Sequence, residues 1–364
     1  MGRIRVMCSR HLSFRPRVVL RGALAGALTA LAVGGAASAF AAHLARIVVS
    51  PSKGRSDDIE VIGVGAGTVT LRADAESLSP GRYGLWLGGG TSHVRLGEIV
   101  DHDEQTGTVT RRVLGVDQGR PREGPARWDV YFHAGTPGTA LGLPFEEVEV
   151  DTALGPMAAW SVPPAAGVPA DGTWAVLVHG RGATREECLR AVPVLHRLGM
   201  PCLVVSYRND PGAPRSAGGR YHLGDAEWVD VESAVQHVVE AGARDVVLVG
   251  WSMGGAIILQ TVARSRLADR VRGVVLDSPV INWRDVLDHH ARMMRVPSPV
   301  GRLSQIVLEH PQARRLIGVD SPLSLSRLDW VSRAAELDLP MLLIHSDDDD
   351  FVPAGPSHSL AEAR

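Results

Sequence analysis

Gly250-Trp251-Ser252-Met253-Gly254 holds the residue types best spaced for covalent chemistry. An apolar run, Asp245-Val246-Val247-Leu248-Val249, precedes it, and Gly255-Ala256-Ile257-Ile258-Leu259-Gln260 follows. The pattern predicts a buried strand, a sharp turn and a helix, with Ser252 at the apex. Small residues two before and two after the serine suit a backbone packed too tightly for bulk, in a turn that lifts the hydroxyl clear of the strands. An unassisted hydroxyl is a poor nucleophile at neutral pH. A histidine must take its proton, and a carboxylate must orient that histidine.

The elements around this turn alternate strand and helix from about Pro144 onward. Ala175-Val176-Leu177-Val178-His179 reads as a buried strand. Thr184-Arg185-Glu186-Glu187 reads as a capping box opening a helix with Leu189, Val192 and Leu195 on one face. Cys202-Leu203-Val204-Val205-Ser206-Tyr207 is the next strand, and Asp225 to Glu240 the next helix. Acidic Glu227 and Asp230 beside Trp228 suit that helix's amino terminus. After the serine turn come two more strands, Val271-Arg272-Gly273-Val274-Val275-Leu276 and Met341-Leu342-Leu343-Ile344-His345. Near-continuous apolar strands separated by helices imply an α/β fold, a mostly parallel, doubly wound sheet covered on both faces. The rhythm breaks between Asp277 and Leu339, and about 278–338 reads as a helical cap over the sheet's carboxyl edge.

From about Val148 onward the chain resembles the α/β-hydrolase superfamily. The likeness is to its prolyl-oligopeptidase-like and carboxylesterase-like branches with an extra amino-terminal domain. Its landmarks stand in the expected order: His179-Gly180-Arg181-Gly182, the serine turn, then His345-Ser346-Asp347-Asp348-Asp349-Asp350-Phe351-Val352-Pro353. The last looks like an H-G-x-x-D-x-x-V-P turn with Ser346 in place of the usual glycine. The resemblance implies Ser252 as nucleophile and Asp349 as the orienting acid. It implies the backbone N–H groups of Met253 and Arg181 as oxyanion donors, with His179 fixing the loop from below. The Arg181 side chain either faces substrate or is solvated. Tyr207-Arg208-Asn209-Asp210, which follows a strand at the same edge of the sheet, and Trp251 are expected to shape the substrate pocket.

The resemblance also implies the chain order serine, acid, histidine, with the histidine in a loop after one more strand. Residues 350–364 are too few for a helix, a strand and that loop. Pro356-Ser357-His358-Ser359-Leu360-Ala361-Glu362 reads as the helix only. His358 is the one histidine after Asp349 and a weak candidate for the base, as are His289 and His290 from the cap. The expectation is a chain ending before its catalytic histidine, with impaired turnover.

The amino-terminal third carries other signals. Residues 22–42 contain no charge, and a helix of that length spans roughly 30 Å, enough for a bilayer core. Arg3, Arg5, Arg10, Arg15, Arg17 and Arg21 precede it, which keeps residues 1–21 cytoplasmic and sends the rest outside. Cleavage at Ala37-Ser38-Ala39, giving a secreted protein, is the alternative to a single-pass anchor. Residues 43–57 read as a linker. From 58 to 144, short alternating runs such as Ile59-Glu60-Val61-Ile62, Thr68-Val69-Thr70-Leu71 and Val130-Tyr131-Phe132 predict a small all-β domain. Gly63-Val64-Gly65-Ala66-Gly67 precedes a strand rather than a helix, so it reads as a hairpin turn and not a nucleotide loop.

Composition narrows the partners. Net charge is −2 and Lys53 is the only lysine, so nothing points to nucleic acid. Cys8, Cys188 and Cys202 are unclustered and read as free thiols. No H-E-x-x-H, C-x-x-C or EF-hand pattern occurs, so no metal or cofactor is expected. Two functions compete. One is a membrane-anchored serine hydrolase acting on ester, peptide or thioester bonds of a small-molecule or peptide acyl substrate, with acyl transfer as a variant. The other is a non-catalytic, membrane-anchored scaffold on the same fold.

Overall fold

The computed structural model describes residues 35–51, 54, 56–169 and 171–364. Most of the uncharged segment, 22–34, lies outside them, as do Cys8 and Lys53. Residues 35–49 form one helix, α1, which runs through the first half of the expected linker. Among the described residues no helix is long and apolar enough to cross a membrane. Instead, α1 buries Ala41, Ala45 and Val49, four residues apart and therefore on one face. Ala45 and Val49 join the same apolar core as the large sheet.

Six antiparallel strands then close a barrel: β1 (Ile59–Gly65), β2 (Thr68–Arg72), β3 (Tyr83–Leu87), β4 (Ser92–Asp103), β5 (Thr108–Gln118) and β6 (Gly124–Asp129), in the order β1-β2-β5-β4-β3-β6. Alternating residues such as Val69, Leu71, Leu85 and Leu87 fill it. Gly63 to Gly67 is the β1–β2 hairpin, with Gly67 at φ +78°. Arg111 is wholly buried in this barrel, where it donates to the carbonyls of Ser77, Ser79, Gly81 and Gly97. Val130-Tyr131-Phe132 lies beyond the end of β6 and is not a strand.

A short helix, α2 (Pro137–Leu141), leads into the second sheet. Its strands are β7 (Glu146–Thr152), β8 (Gly155–Val162), β9 (Thr173–Val178), β10 (Cys202–Val205), β11 (Asp245–Trp251), β12 (Val271–Asp277) and β13 (Met341–Ile344). Their order is β13-β12-β11-β9-β10-β8-β7. β9 to β13 are mutually parallel, while β7 and β8 run antiparallel at one edge. Crossing helices α3 (Val192–Arg197), α4 (Trp228–Glu240) and α5 (Met253–Arg264) cover the faces. The cap between β12 and β13 comprises α6 (Trp283–Met293), α7 (Ser298–Glu309) and α8 (Arg314–Ile317), and α9 (Gly355–Glu362) follows β13.

Fully buried Val176, Leu177, Val178, Leu203, Val204 and Leu248 explain why these runs read as continuous apolar strands. Each such side chain contributes about 1.5–3 kcal/mol of burial. From β9 the chain steps to β10 on one side, then returns to place β11 on the other. Open α/β sheets bind ligands at such a reversal, outside the carboxyl ends of the two strands, here β9 and β11. β13 pairs with β12 alone among the described residues, and its Leu342 and Ile344 are exposed.

Candidate active site

β11 ends at Trp251 and α5 begins at Met253, so Ser252 alone makes the turn. It does so at φ +49°, ψ −117°, a strained backbone for a residue with a Cβ. The flanking glycines are required by packing. A Cβ on Gly254 would lie 2.2 Å from the Val178 carbonyl oxygen, and one on Gly250 would lie 2.5 Å from Ile258 Cδ1. The Ser252 N–H donates to the Asp277 carbonyl at 3.1 Å, and its own carbonyl accepts from Val280 and Gly255. The turn is thereby fastened to the end of β12. Ser252 is half-buried, and its hydroxyl has no hydrogen-bond partner among the described residues.

The neighbouring strand β9 delivers His179-Gly180-Arg181-Gly182 to the same edge. A Cβ on Gly180 would lie 3.1 Å from Ser252 Cβ and 3.2 Å from Glu187 Oε2, so any larger residue would have to push the serine turn or Glu187 back. The Gly180 N–H donates to Glu187 Oε2 at 2.6 Å. Its carbonyl accepts from Tyr207 Oη and from His179 Nδ1, each at 2.9 Å. His179 Nε2 meets Asp210 Oδ2 at 2.8 Å, and the Tyr207 ring stacks on the imidazole at 4.4 Å. Both His179 nitrogens face acceptors, so both carry hydrogens and the ring is an imidazolium. Burial alone would lower its pKa, but Asp210 and the Gly180 carbonyl outweigh burial and raise it. Glu187 is also buried, which holds its carboxyl above the usual range.

This network fixes which way the next peptide points. The Gly180 carbonyl is held inward by two donors. In a trans peptide the following N–H points the opposite way, and among the described residues no peptide bond is cis. The Arg181 N–H therefore faces away from the network and has no partner among the described residues. Met253 opens α5, so its N–H has no intrahelical acceptor.

The turn after β13 holds the acids. Asp349 Oδ1 accepts from the N–H groups of Phe351 and Val352, both at 2.9 Å. Its Oδ2 lies 3.5 Å from His345 Nε2. His345 is itself engaged by the Val352 carbonyl and the Ser357 hydroxyl. His289 and His290 of α6 donate to the carbonyls of Asp350 and Phe351. Burial lowers the His290 pKa, which keeps that ring a neutral donor. His358 does not approach Asp349. It pairs with Asp347 at 2.7 Å on the surface. No described histidine bonds to Ser252.

Several sequence expectations need correction. Tyr207 is fully buried beneath the Gly180 loop and does not line a pocket. Trp251 is 5% exposed and packs into the core on the other face, where its indole donates to Asp277. Alternation along β11 sends the Trp251 side chain away from the turn's open side. The Arg181 guanidinium is half-buried and is engaged by the chain itself, donating to the carbonyls of Ile47, Val48 and Ser50. The capping box does not form. Residues Arg185–Arg190 are 3₁₀, Thr184 makes no cap, and Glu187 turns inward to Gly180. The α4 helix starts at Trp228; Glu227 instead accepts from His222 and Gly224, and Asp230 pairs with Arg208.

The sequence placed Glu187 in a capping box and Asp210 in a pocket-shaping run, and gave neither its place beneath the Gly180 loop. A carboxylate within a few residues of a His-Gly turn, and another just past the following strand, were the available signals. Cys188 and Cys202 are buried thiols, and burial pushes the Cys202 pKa up to about 12. Among the described residues no group of His, Cys, Asp and Glu is arranged to hold a metal ion.

Residues 60–129, nearly all of the barrel, match a family described only as a domain of unknown function. A monoacylglycerol lipase of Mycolicibacterium smegmatis is 28% identical over 221 residues, 51% of this chain and 74% of that protein. A Pyrococcus furiosus esterase structure is 18% identical with a TM-score of 0.47, covering 63% of this chain and 80% of the other. An acetyl xylan esterase from Paenibacillus sp. R4 is 17% identical with a TM-score of 0.45, covering 60% and 73%. Residues 175–362, just over half of the chain, match the alpha/beta hydrolase family, spanning the Gly180 loop, the Ser252 turn and the Asp349 turn. The chain belongs to the alpha/beta hydrolase family.

Proposed function

We propose that this chain is a serine hydrolase of small-molecule esters, working through an acyl-enzyme on Ser252. The observation that carries the reading is the Ser252 turn at φ +49°, with the Gly180 loop packed against it. In this reading Ser252 Oγ attacks the ester carbonyl. The N–H groups of Met253 and Arg181 receive the negative charge that develops on the carbonyl oxygen. Asp349, held by two backbone N–H groups, orients the histidine that takes the serine proton. The alcohol then leaves, and water releases the acid by the reverse sequence. The name of the mycobacterial relative, a monoacylglycerol lipase, supports esters over peptides and thioesters.

Among the described residues no histidine is bonded to Ser252 as its base. His179, His289, His290, His345 and His358 are each engaged elsewhere. In this arrangement, with each of these histidines held elsewhere, turnover is slow, since removing a triad histidine can cost about a millionfold. The same observation favours a second reading, a non-catalytic binding protein on the hydrolase fold. As for location, we place the catalytic region outside the cytoplasm, on the uncharged segment 22–42 and the arginines before it. Cleavage after Ala39 would leave the docked residues Ala41, Ala45 and Val49 in place.

The test is labelling with a fluorophosphonate and hydrolysis of aryl esters, with Ser252→Ala as control. Slow but Ser252-dependent labelling and turnover support the hydrolase. Robust Ser252-dependent turnover would mean a described histidine reaches the serine. No labelling in the parent chain favours the binding protein.

A further inference from the structure

The carboxyl end of α1 is closed by residues of the hydrolase region. A helix leaves its last four carbonyls without intrahelical partners. In α1 these belong to residues 46–49. The Arg46 carbonyl accepts from the Ser50 hydroxyl. The Ile47 and Val48 carbonyls accept from Arg181 Nη2 and Nε, both at 2.8 Å. The Val49 carbonyl accepts from the Tyr221 N–H at 2.8 Å. Arg181 also reaches the Ser50 carbonyl at 3.0 Å, and Arg220 bonds the Ser50 hydroxyl. A cation at this end suits the helix dipole.

The dependence runs both ways. Among the described residues Arg181 has no carboxylate partner, so the α1 carbonyls are what hold its guanidinium. Toward the amino side, the Gly180 peptide is fixed by Glu187, His179 and Tyr207. Toward the carboxyl side stands Gly182 at φ +71°, a conformation glycine adopts freely and a weak brace for its neighbour. Tyr221, whose N–H holds the Val49 carbonyl, is itself buried, with its ring 6.4 Å from that of Tyr207 beneath the Gly180 loop.

We propose that α1 is a positioning element of the oxyanion loop, holding Arg181 through its side chain and so bracing from the carboxyl side the peptide whose amino side the Gly180 carbonyl aims. The proposal rests on reading the Arg181 N–H as an oxyanion donor. It makes the amino-terminal helix part of the catalytic apparatus, so that force or displacement applied to residues 35–49 reaches the site.

Two variants of the full chain test it. Ala45→Arg puts a charge into the buried face of α1 and undocks it without touching the loop. Arg181→Met leaves that face intact and removes the link, which keeps the test available if Ala45→Arg does not fold. The readout is hydrogen–deuterium exchange. In both variants the bonded amides of Gly180 and Ala183 are expected to exchange roughly tenfold faster, while β11 and α5 stay unchanged. Fluorophosphonate labelling of Ser252 should slow by about a hundredfold, the order seen when one oxyanion donor is lost. Parental loop exchange in a variant whose α1 amides exchange faster would overturn the proposal. If the parent chain does not label at all, the hydrolase reading fails, and the exchange arm still decides whether helix and loop are coupled.

Discussion

His179 Nε2 lies 2.8 Å from Asp210 Oδ2, and both side chains are shut away from water under the Gly180 loop. The pair is a charged strut. Its other end, His179 Nδ1, holds the Gly180 carbonyl and so aims the peptide that follows.

Removing one member leaves the other charge buried and unpaired, which costs about 3–5 kcal/mol. Asp210→Ala should therefore lower the urea midpoint sharply. Because the folded-state pKa of His179 is raised, the stability it contributes is complete below about pH 6.5, its ordinary value, and is lost as pH rises through the raised value. The gap between parent and Asp210→Ala should thus narrow at alkaline pH. A constant gap from pH 6 to pH 10 would mean the imidazole is not charged.

Glu187 has the opposite chemical character and the same sign. Burial raises its folded-state pKa above the unfolded value, so its ionisation weakens the fold as pH climbs past about 4.5. Glu187→Gln keeps an acceptor for the Gly180 N–H and cannot ionise. Its stability relative to the parent should grow with pH and level off once the parental carboxyl is ionised. Urea unfolding at a series of pH values from 4 to 9 measures this.

Glycines in this chain differ in what surrounds them. Gly254→Ala drives a Cβ to 2.2 Å and 2.6 Å from two backbone oxygens, a clash no rotamer relieves. The cost should reach the upper end of about 1–3 kcal/mol and carry Ser252 out of position. Gly301→Ala in α7 meets only Ala291 Cβ at 3.5 Å. It should raise stability by about 0.4–1 kcal/mol, because alanine restricts the unfolded chain. Thermal unfolding of the two variants side by side gives the comparison.

His358 is exposed and bonded to exposed Asp347. His358→Ala should change stability by less than about 0.5 kcal/mol, and Ser252 labelling should not change. Lost labelling at unchanged melting temperature would reinstate His358 as the base.

The strands and turns of the site could be read from residue order because they are set by local demands. Val176, Val178 and Leu248 announce a sheet covered on both sides, and Gly250 and Gly254 announce a turn without room for a Cβ. Asp349 stood out among four aspartates only through a resemblance, and its two backbone donors are what set it apart physically. Tyr207 and Trp251 were misplaced because an aromatic side chain at a strand end packs on either side according to which helix covers it.

Residue order thus established the α/β layering, the serine at the apex of its turn and the glycines that make the turn possible. Each depends on a few neighbouring φ/ψ angles and on apolar spacing. The folded chain settled which polar groups meet: His179 with Asp210, Glu187 with the Gly180 N–H, and Arg181 with the end of a helix more than a hundred residues earlier. Those partners are far apart along the backbone or face ways that local propensity does not encode. Burial makes an unpaired polar group costly enough that the three-dimensional packing must choose them.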